Sequence, residues 1–260
     1  MTEKPETSGK SKKFNPAVDD SCGGDKFPAL STHQENSRRG FLRMALCQTV
    51  SGMVVAAGAE FATPYRSLAQ SALTPQAALD ELVAGNKRFI EEKLTSFEHD
   101  LTILKKNTID KQEPFAAVLS CADSRVPVEL IFDQSIGHIF VTRVAGNIAS
   151  SEIIASLEYG AAVLGTKVIV VMGHAGCGAV KATIQAKEVP GQISALYPHI
   201  QPAVDLAGSD LEAASKANAK IQASLLRKSS TVIAGLIKEN KLRVSASYYD
   251  VGTGVVTILD

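Results

Sequence analysis

Tryptophan is absent, aromatic residues make up 5% of the 260 positions, and 27 basic residues balance 27 acidic ones. Without indole there is no material for a carbohydrate platform built on ring stacking. Without a basic excess there is nothing to hold a phosphate backbone, so no nucleic-acid partner is expected. The uncharged, moderately apolar stretch at 44–59 is shorter than the about 20 residues a membrane-spanning helix needs. Cysteine is scarce too, 4 in all, so the placement of each is informative. What is plentiful is ordinary apolar material. At 45% hydrophobic, a chain of this length can bury a full core as one domain or two.

The first 70 residues differ from the rest. Residues 1–36 are polar, rich in Lys, Ser, Gly and acidic residues, and show no apolar period, so they are expected to be disordered. "SRRGFLR" then sets Arg38 and Arg39 before Phe41 and Leu42, ahead of the 44–59 run, and "SLA" ends at Ala69 with small residues suited to a signal peptidase. The string resembles a twin-arginine export signal over 37–69, with Arg43 in place of the usual lysine. That resemblance implies export to a periplasm or equivalent lumen, cleavage after Ala69, or membrane attachment if the signal stays uncleaved. A basic patch before a short core helix is the plainer alternative. A lipidated Cys47 fits poorly behind the bulky Leu46.

From residue 70 to 260 the pattern is that of one folded domain. "TPQAALDELVAGNKRFIEE" predicts an amphipathic helix with a capping Thr74 and Pro75 at its first position. "FAAVLS", "IFVTRVAG" and "KVIVVMGH" predict strands; "VPVELIFD", "SSEIIASLEYGAAVLG" and "GAVKATIQA" predict the helices between them, the second closing at Gly165. Residues 211–240 read as two helices, and "LRVSASYYD" with "VVTILD" as a closing hairpin around Gly252 and Gly254. Continuous apolar strands alternating with helices mean an α/β fold: a mainly parallel sheet covered on both faces, closed by a C-terminal β-hairpin.

In such a sheet, ligands collect where strands end and helices begin. "SCADSR" (120–125) lies at one such place and "GHAGCGAV" (173–180) at another. His174 and Cys177, three apart across a turn, can bite one metal, with Cys121 as a third ligand from the neighbouring strand. Two thiolates and one imidazole select zinc, and three protein ligands leave the fourth position open for catalysis. A buried cysteine is more often a small hydrophobe, and a Cys121–Cys177 disulfide is a further alternative. Neither explains why Asp123 and Arg125 accompany Cys121, or why Gly173, Gly176 and Gly178 surround the second pair.

"CADSRVP", "RVAGN" (143–147) and "GHAGCGAV" together resemble a β-class carbonic anhydrase over nearly all of residues 75–260. That resemblance implies one zinc per subunit on Cys121, His174 and Cys177, and reversible hydration of CO2 to bicarbonate by zinc-bound hydroxide. It implies a dyad in which Arg125 holds Asp123 off the metal. It further implies the family's plant-type branch, with Gln112, Phe140, Ala145, Tyr159 and the Gly178 N–H lining the substrate cleft, though Ala145 stands where valine is common. In that branch the glutamine and the aromatic residues come from a partner subunit, so a homodimer or higher even oligomer is expected. Another branch binds bicarbonate as an inhibitor and carries tryptophan where this chain has Val118, which points to the uninhibited form. Two alternatives remain: a CS2 or carbonyl sulfide hydrolase on the same scaffold, or a zinc-stabilised binding protein. His99, His138 and His199 are candidate proton shuttles with nothing to choose between them.

Overall fold

The computed structural model describes residues 72–96, 108–109 and 111–260. The expected export signal, Cys22, Cys47 and His99 lie outside the described residues. Among those described, no helix is long and apolar enough to cross a membrane.

Helix α1 (Pro75–Ile90) begins as its sequence directs. The Thr74 hydroxyl accepts from the Ala77 N–H at 3.1 Å, Pro75 starts the first turn, and Ala78, Leu79 and Leu82 are buried. Strand β1 (Ala116–Ser120) follows, then the single-turn helix α2 (Val128–Ile131) and strand β2 (Ile139–Arg143). Helix α3 (Ser151–Glu158), strand β3 (Val168–His174), helix α4 (Gly178–Gln185), helix α5 (Tyr197–Ala207), helix α6 (Leu211–Ser229) and helix α7 (Thr231–Lys238) lead to strands β4 (Arg243–Tyr249) and β5 (Val256–Ile258).

The strand order is β2-β1-β3-β4-β5. The first four run parallel and β5 returns antiparallel as the closing hairpin. Every residue of β1 and β3 is buried, because both strands are central and have helices on both faces. One face packs Leu82, Ile131 and Phe132 on Val118, Val170 and Met172. The other packs Leu157, Leu226 and Ile233 on Leu119, Ile169 and Val171. β2 is an edge strand and three of its five residues are only half-buried.

Three local expectations need correction. The helix expected up to Gly165 is α-helical only to Glu158; Tyr159–Val163 then widens into a π turn, with the Leu164 N–H donating to the Tyr159 carbonyl at 3.2 Å. The small residues Gly160, Ala161 and Ala162 leave room for that wider turn. The strand expected through Gly146 stops at Arg143, and residues 145–147 curl into a 3-10 turn at the left-handed Gly146 (φ +75°). Helix α5 was not expected. Pro198 lies in its first turn and Pro202 inside it, and prolines so placed break the apolar reading that would reveal a helix.

Candidate metal centre

All parallel strands point their C-terminal ends the same way, and from the neighbouring strands β1 and β3 the chain leaves in opposite directions along the sheet, to β2 and to β4, the kind of switch point at which ligands bind in such sheets. Cys121 follows β1 directly, His174 is the last residue of β3, and Cys177 caps α4. Their donor atoms all lie within 4.8 Å of one another, and the three residues are 4%, 0% and 1% exposed. The two sulfurs are 4.0 Å apart. Two thiolates on one tetrahedral zinc, each about 2.3 Å away, would be about 3.8 Å apart. The His174 Nδ1 is spent on the Ala175 carbonyl at 3.0 Å, which turns Nε2 toward the sulfurs, and that Nε2 is a buried polar atom with no hydrogen-bond partner. A buried imidazole nitrogen with no partner beside two sulfurs is what a metal would satisfy. The residues therefore fit zinc.

The surroundings favour thiolate at one of the two cysteines. The Cys121 thiol is drawn down, chiefly by the bond it accepts from Cys177, with His174 and the Gly146 and Asp123 N–H groups adding to it. The same contact, with burial, pushes Cys177 up, against the pull of the Val180 and Ala179 N–H groups. The pair thus shares a proton that a cation would displace. Apolar Ile148, Val180 and Ile200 pack around both sulfurs.

Arg125 ties the two halves of the site together. Its Nε and backbone N–H donate to Asp123 Oδ1 at 3.0 and 2.9 Å, its Nη2 to Asp123 Oδ2 at 2.8 Å, and the same Nη2 to the Gly176 carbonyl at 3.2 Å. These bonds from Arg125 hold the Asp123 carboxyl well below the usual carboxylate range. Asp123 Oδ2 lies 4.0 Å from His174 Nε2, too far to bond, so it faces the metal position with an acceptor still available.

Of the residues expected to line the cleft, one chain brings two near the metal residues. Gly178 opens α4, exposed, one residue after Cys177, and the half-buried Ala145 adjoins Gly146. The other three stay away. Gln112 is exposed ahead of the N-terminal end of β1, the opposite end from Cys121. Phe140 pairs with Ala117, four residues and so about 13 Å of strand before Cys121. Tyr159, 47% exposed, packs its ring 6.3 Å from that of Phe140.

Comparison with known proteins agrees with this geometry. Carbonic anhydrase 2 of Mycobacterium tuberculosis is 40% identical over 116 residues, 43% of this chain and 54% of its own length. The chain thus spans about half the length of that relative. A Pseudomonas aeruginosa carbonic anhydrase is 30% identical over 173 residues, 60% of this chain and 78% of its own. The solved β-carbonic anhydrase CafA of Aspergillus fumigatus superimposes with a TM-score of 0.56 at 26% identity, covering 70% of this chain and 90% of that one. A family model described as carbonic anhydrase matches residues 116–256, more than half of the chain. This chain belongs to the β-carbonic anhydrase family.

As a β-carbonic anhydrase it also carries site-supporting residues that the sequence did not disclose. From sequence, Arg143 is one letter of "RVAGN" without a task. In the fold its Nε donates to the Cys121 carbonyl at 3.0 Å and its Nη2 to the Asp123 carbonyl, clamping the loop that carries Cys121, Asp123 and Arg125. The Gly146 N–H donates to Cys121 Sγ at 3.3 Å, from a backbone where a Cβ would fall 2.7 Å from the Ile200 side chain. Only a spacing between "CADSR" and "RVAGN" that matched a known fold could have flagged either contact, because both join the C-terminal end of β2 and the turn after it to the loop that follows β1.

Proposed function

We propose that this chain catalyses the reversible hydration of CO2 to bicarbonate and a proton, with one zinc held by Cys121, His174 and Cys177. The observation that carries the reading is the converging Cys-His-Cys donor set with Asp123 Oδ2 held beside it by Arg125. When bound, zinc supplies a Lewis acid that makes a coordinated water acidic enough to be a nucleophile near neutral pH. Asp123 Oδ2 would accept a hydrogen bond from the O–H of the attacking oxygen and so turn that oxygen's lone pair toward CO2. Arg125 prevents the carboxylate from swinging onto the metal, since three of its N–H groups grip both oxygens while the Gly176 carbonyl anchors the guanidinium. The apolar side chains of Ile148, Val180 and Ile200 exclude bulk water behind the sulfurs.

The cleft is completed in this reading by a second copy of the chain. Gln112, Phe140 and Tyr159 stay away from the metal residues of their own subunit, while Gln112 and Tyr159 are exposed and β2 is a sheet edge, which supports delivery across a homodimer. Arg38, Arg39, Phe41 and Leu42 support export by the twin-arginine route to a periplasm or equivalent lumen. Replacing both arginines with lysine should then leave the protein inside the cell; wild-type export of that variant would exclude the route.

The test of the activity is stopped-flow CO2 hydration by the full chain, with zinc measured in the same sample. Turnover that rises with zinc to one equivalent and disappears with a chelator is expected. Tight zinc binding without turnover would leave a zinc-stabilised binding protein, and turnover of CS2 or carbonyl sulfide in place of CO2 would identify the hydrolase alternative.

A further inference from the structure

Helix α6 buries two carboxamides in a face otherwise made of alanine, leucine and Ser215. Asn218 is 0% exposed and Gln222 is 1% exposed, one helical turn apart, among Ala214, Ala219, Ala223 and Leu226. Such groups cost stability unless their donors and acceptors are met, and here the bonds run to each other, to helix α5 and to the 145–149 turn. Asn218 Nδ2 donates to the Gly146 carbonyl at 2.8 Å, and Asn218 Oδ1 accepts from Gln222 Nε2 at 3.1 Å. Gln222 Nε2 also donates to the His199 carbonyl at 2.9 Å, and Gln222 Oε1 accepts from the Ala149 N–H at 2.9 Å. The partners fix the orientation of both amides. The Gln222 nitrogen must face His199, so its oxygen faces Ala149; the Asn218 oxygen must face that nitrogen, so its own nitrogen faces Gly146.

The turn held in this way is the one that delivers a hydrogen bond to a proposed zinc ligand, Gly146 N–H to Cys121 Sγ. The helix can reach it because β3 carries Gly173 under α6, where a Cβ would stand 2.8 Å from the Ser215 carbonyl oxygen. We infer that Asn218 and Gln222 are positioning residues for the metal centre. By gripping the carbonyl of Gly146 and the N–H of Ala149, they hold the 145–149 turn so that the Gly146 N–H stays on Cys121. A hydrogen bond to a thiolate withdraws part of the charge it gives its metal, so the pair sets metal affinity and the acidity of the metal as a Lewis acid. The inference rests on the zinc reading above.

The test uses the full-length chain loaded with cobalt, whose thiolate-to-metal charge-transfer band reports the charge on sulfur, and zinc affinity from chelator competition. Asn218→Asp keeps the acceptor for Gln222 and loses the donor to Gly146. It should shift the cobalt band and change zinc affinity by about 10- to 100-fold. Ser215→Ala is the control, because Ser215 is buried on the same helix face but its hydroxyl donates only to the Leu211 carbonyl within α6. It should leave band and affinity unchanged whatever it does to stability. A band and affinity at wild-type values in folded Asn218→Asp, or an equal shift in Ser215→Ala, would overturn the inference. Should Asn218→Asp not fold, the cadmium-113 form of the wild-type chain decides, since a cadmium–proton coupling at the Gly146 amide requires the N–H to sulfur bond. Absence of that coupling overturns the inference. A wild-type chain that takes up no metal overturns the zinc reading itself and the inference with it.

Discussion

Asp123 and Asp133 are ten residues apart, each is gripped by an arginine, and each carboxyl is held below the usual range, yet the two sites differ in what is left over. The Asp133 side chain is 0% exposed. Its Oδ1 accepts from the Thr95 and Ser96 N–H groups at 2.9 and 3.0 Å, and its Oδ2 from Arg88 Nε at 2.5 Å and the Thr95 hydroxyl at 2.9 Å. Four donors on two oxygens leave no acceptor for anything else. Burial alone would push this carboxyl up, and the bonds from Arg88, Ser96 and Thr95 outweigh it. Asp123, 17% exposed, takes three donors from one residue, and its Oδ2 takes only one of them while facing the metal residues. The arginine–aspartate pair is common to both. The unspent acceptor is what separates a dyad from a structural lock.

The largest effect should come from removing one of the proposed metal ligands. Cys177→Ala should lose both zinc and CO2 hydration, because two ligands cannot hold the ion against water; a full zinc equivalent with activity would remove Cys177 from the ligand set. Next comes the lock. Asp133→Asn leaves Arg88 facing an amide nitrogen and should cost about 3 kcal/mol in denaturant unfolding, with zinc-normalised turnover kept. Loss of turnover at unchanged stability would reverse the roles of the two carboxylates.

The same comparison has a pH arm. A carboxyl depressed in the fold contributes stability that is fully present above its unfolded value, near 4, and is lost as pH falls through its lower folded value. Unfolding free energy should therefore fall more steeply below about pH 4 in the wild type than in Asp133→Asn, by up to about 1.4 kcal/mol per pH unit. Parallel slopes would mean that Asp133 titrates alike in both states. The smallest effect should be that of Gln112→Ala: about tenfold slower hydration with zinc retained, the loss of one neutral hydrogen bond. A monomer that keeps full activity on dilution would contradict the shared cleft.

How much of this was legible in sequence follows the range of the interactions. The convergence of Cys121, His174 and Cys177 was readable because C-x-D-x-R and H-x-x-C are local strings of metal-binding residue types, whereas the pairing of Arg125 with Asp123 was implied by the family resemblance. The parallel sheet was readable from buried runs such as "VIVVM", which need no partner to be recognised. Helix α5 was hidden by Pro198 and Pro202, and the π turn at Tyr159–Val163 by its helical neighbours. The Asp133 lock was invisible because Arg88, Thr95 and Asp133 meet only after α1 and α2 dock, across 45 and 38 positions of chain. Arg143, Asn218 and Gln222 escaped for the same reason, since a polar letter in an apolar face states that a partner exists without saying which.

The central claim is that the free acceptor on Asp123 Oδ2, and not the ion pair with Arg125, serves the chemistry. The direct measurement is the CO2 hydration rate of Asp123→Ala beside wild type, both normalised to bound zinc. Full zinc, an unfolding midpoint near wild type and a rate lower by about 100-fold or more is the result this account predicts. A zinc-replete Asp123→Ala that hydrates CO2 at the wild-type rate would contradict it.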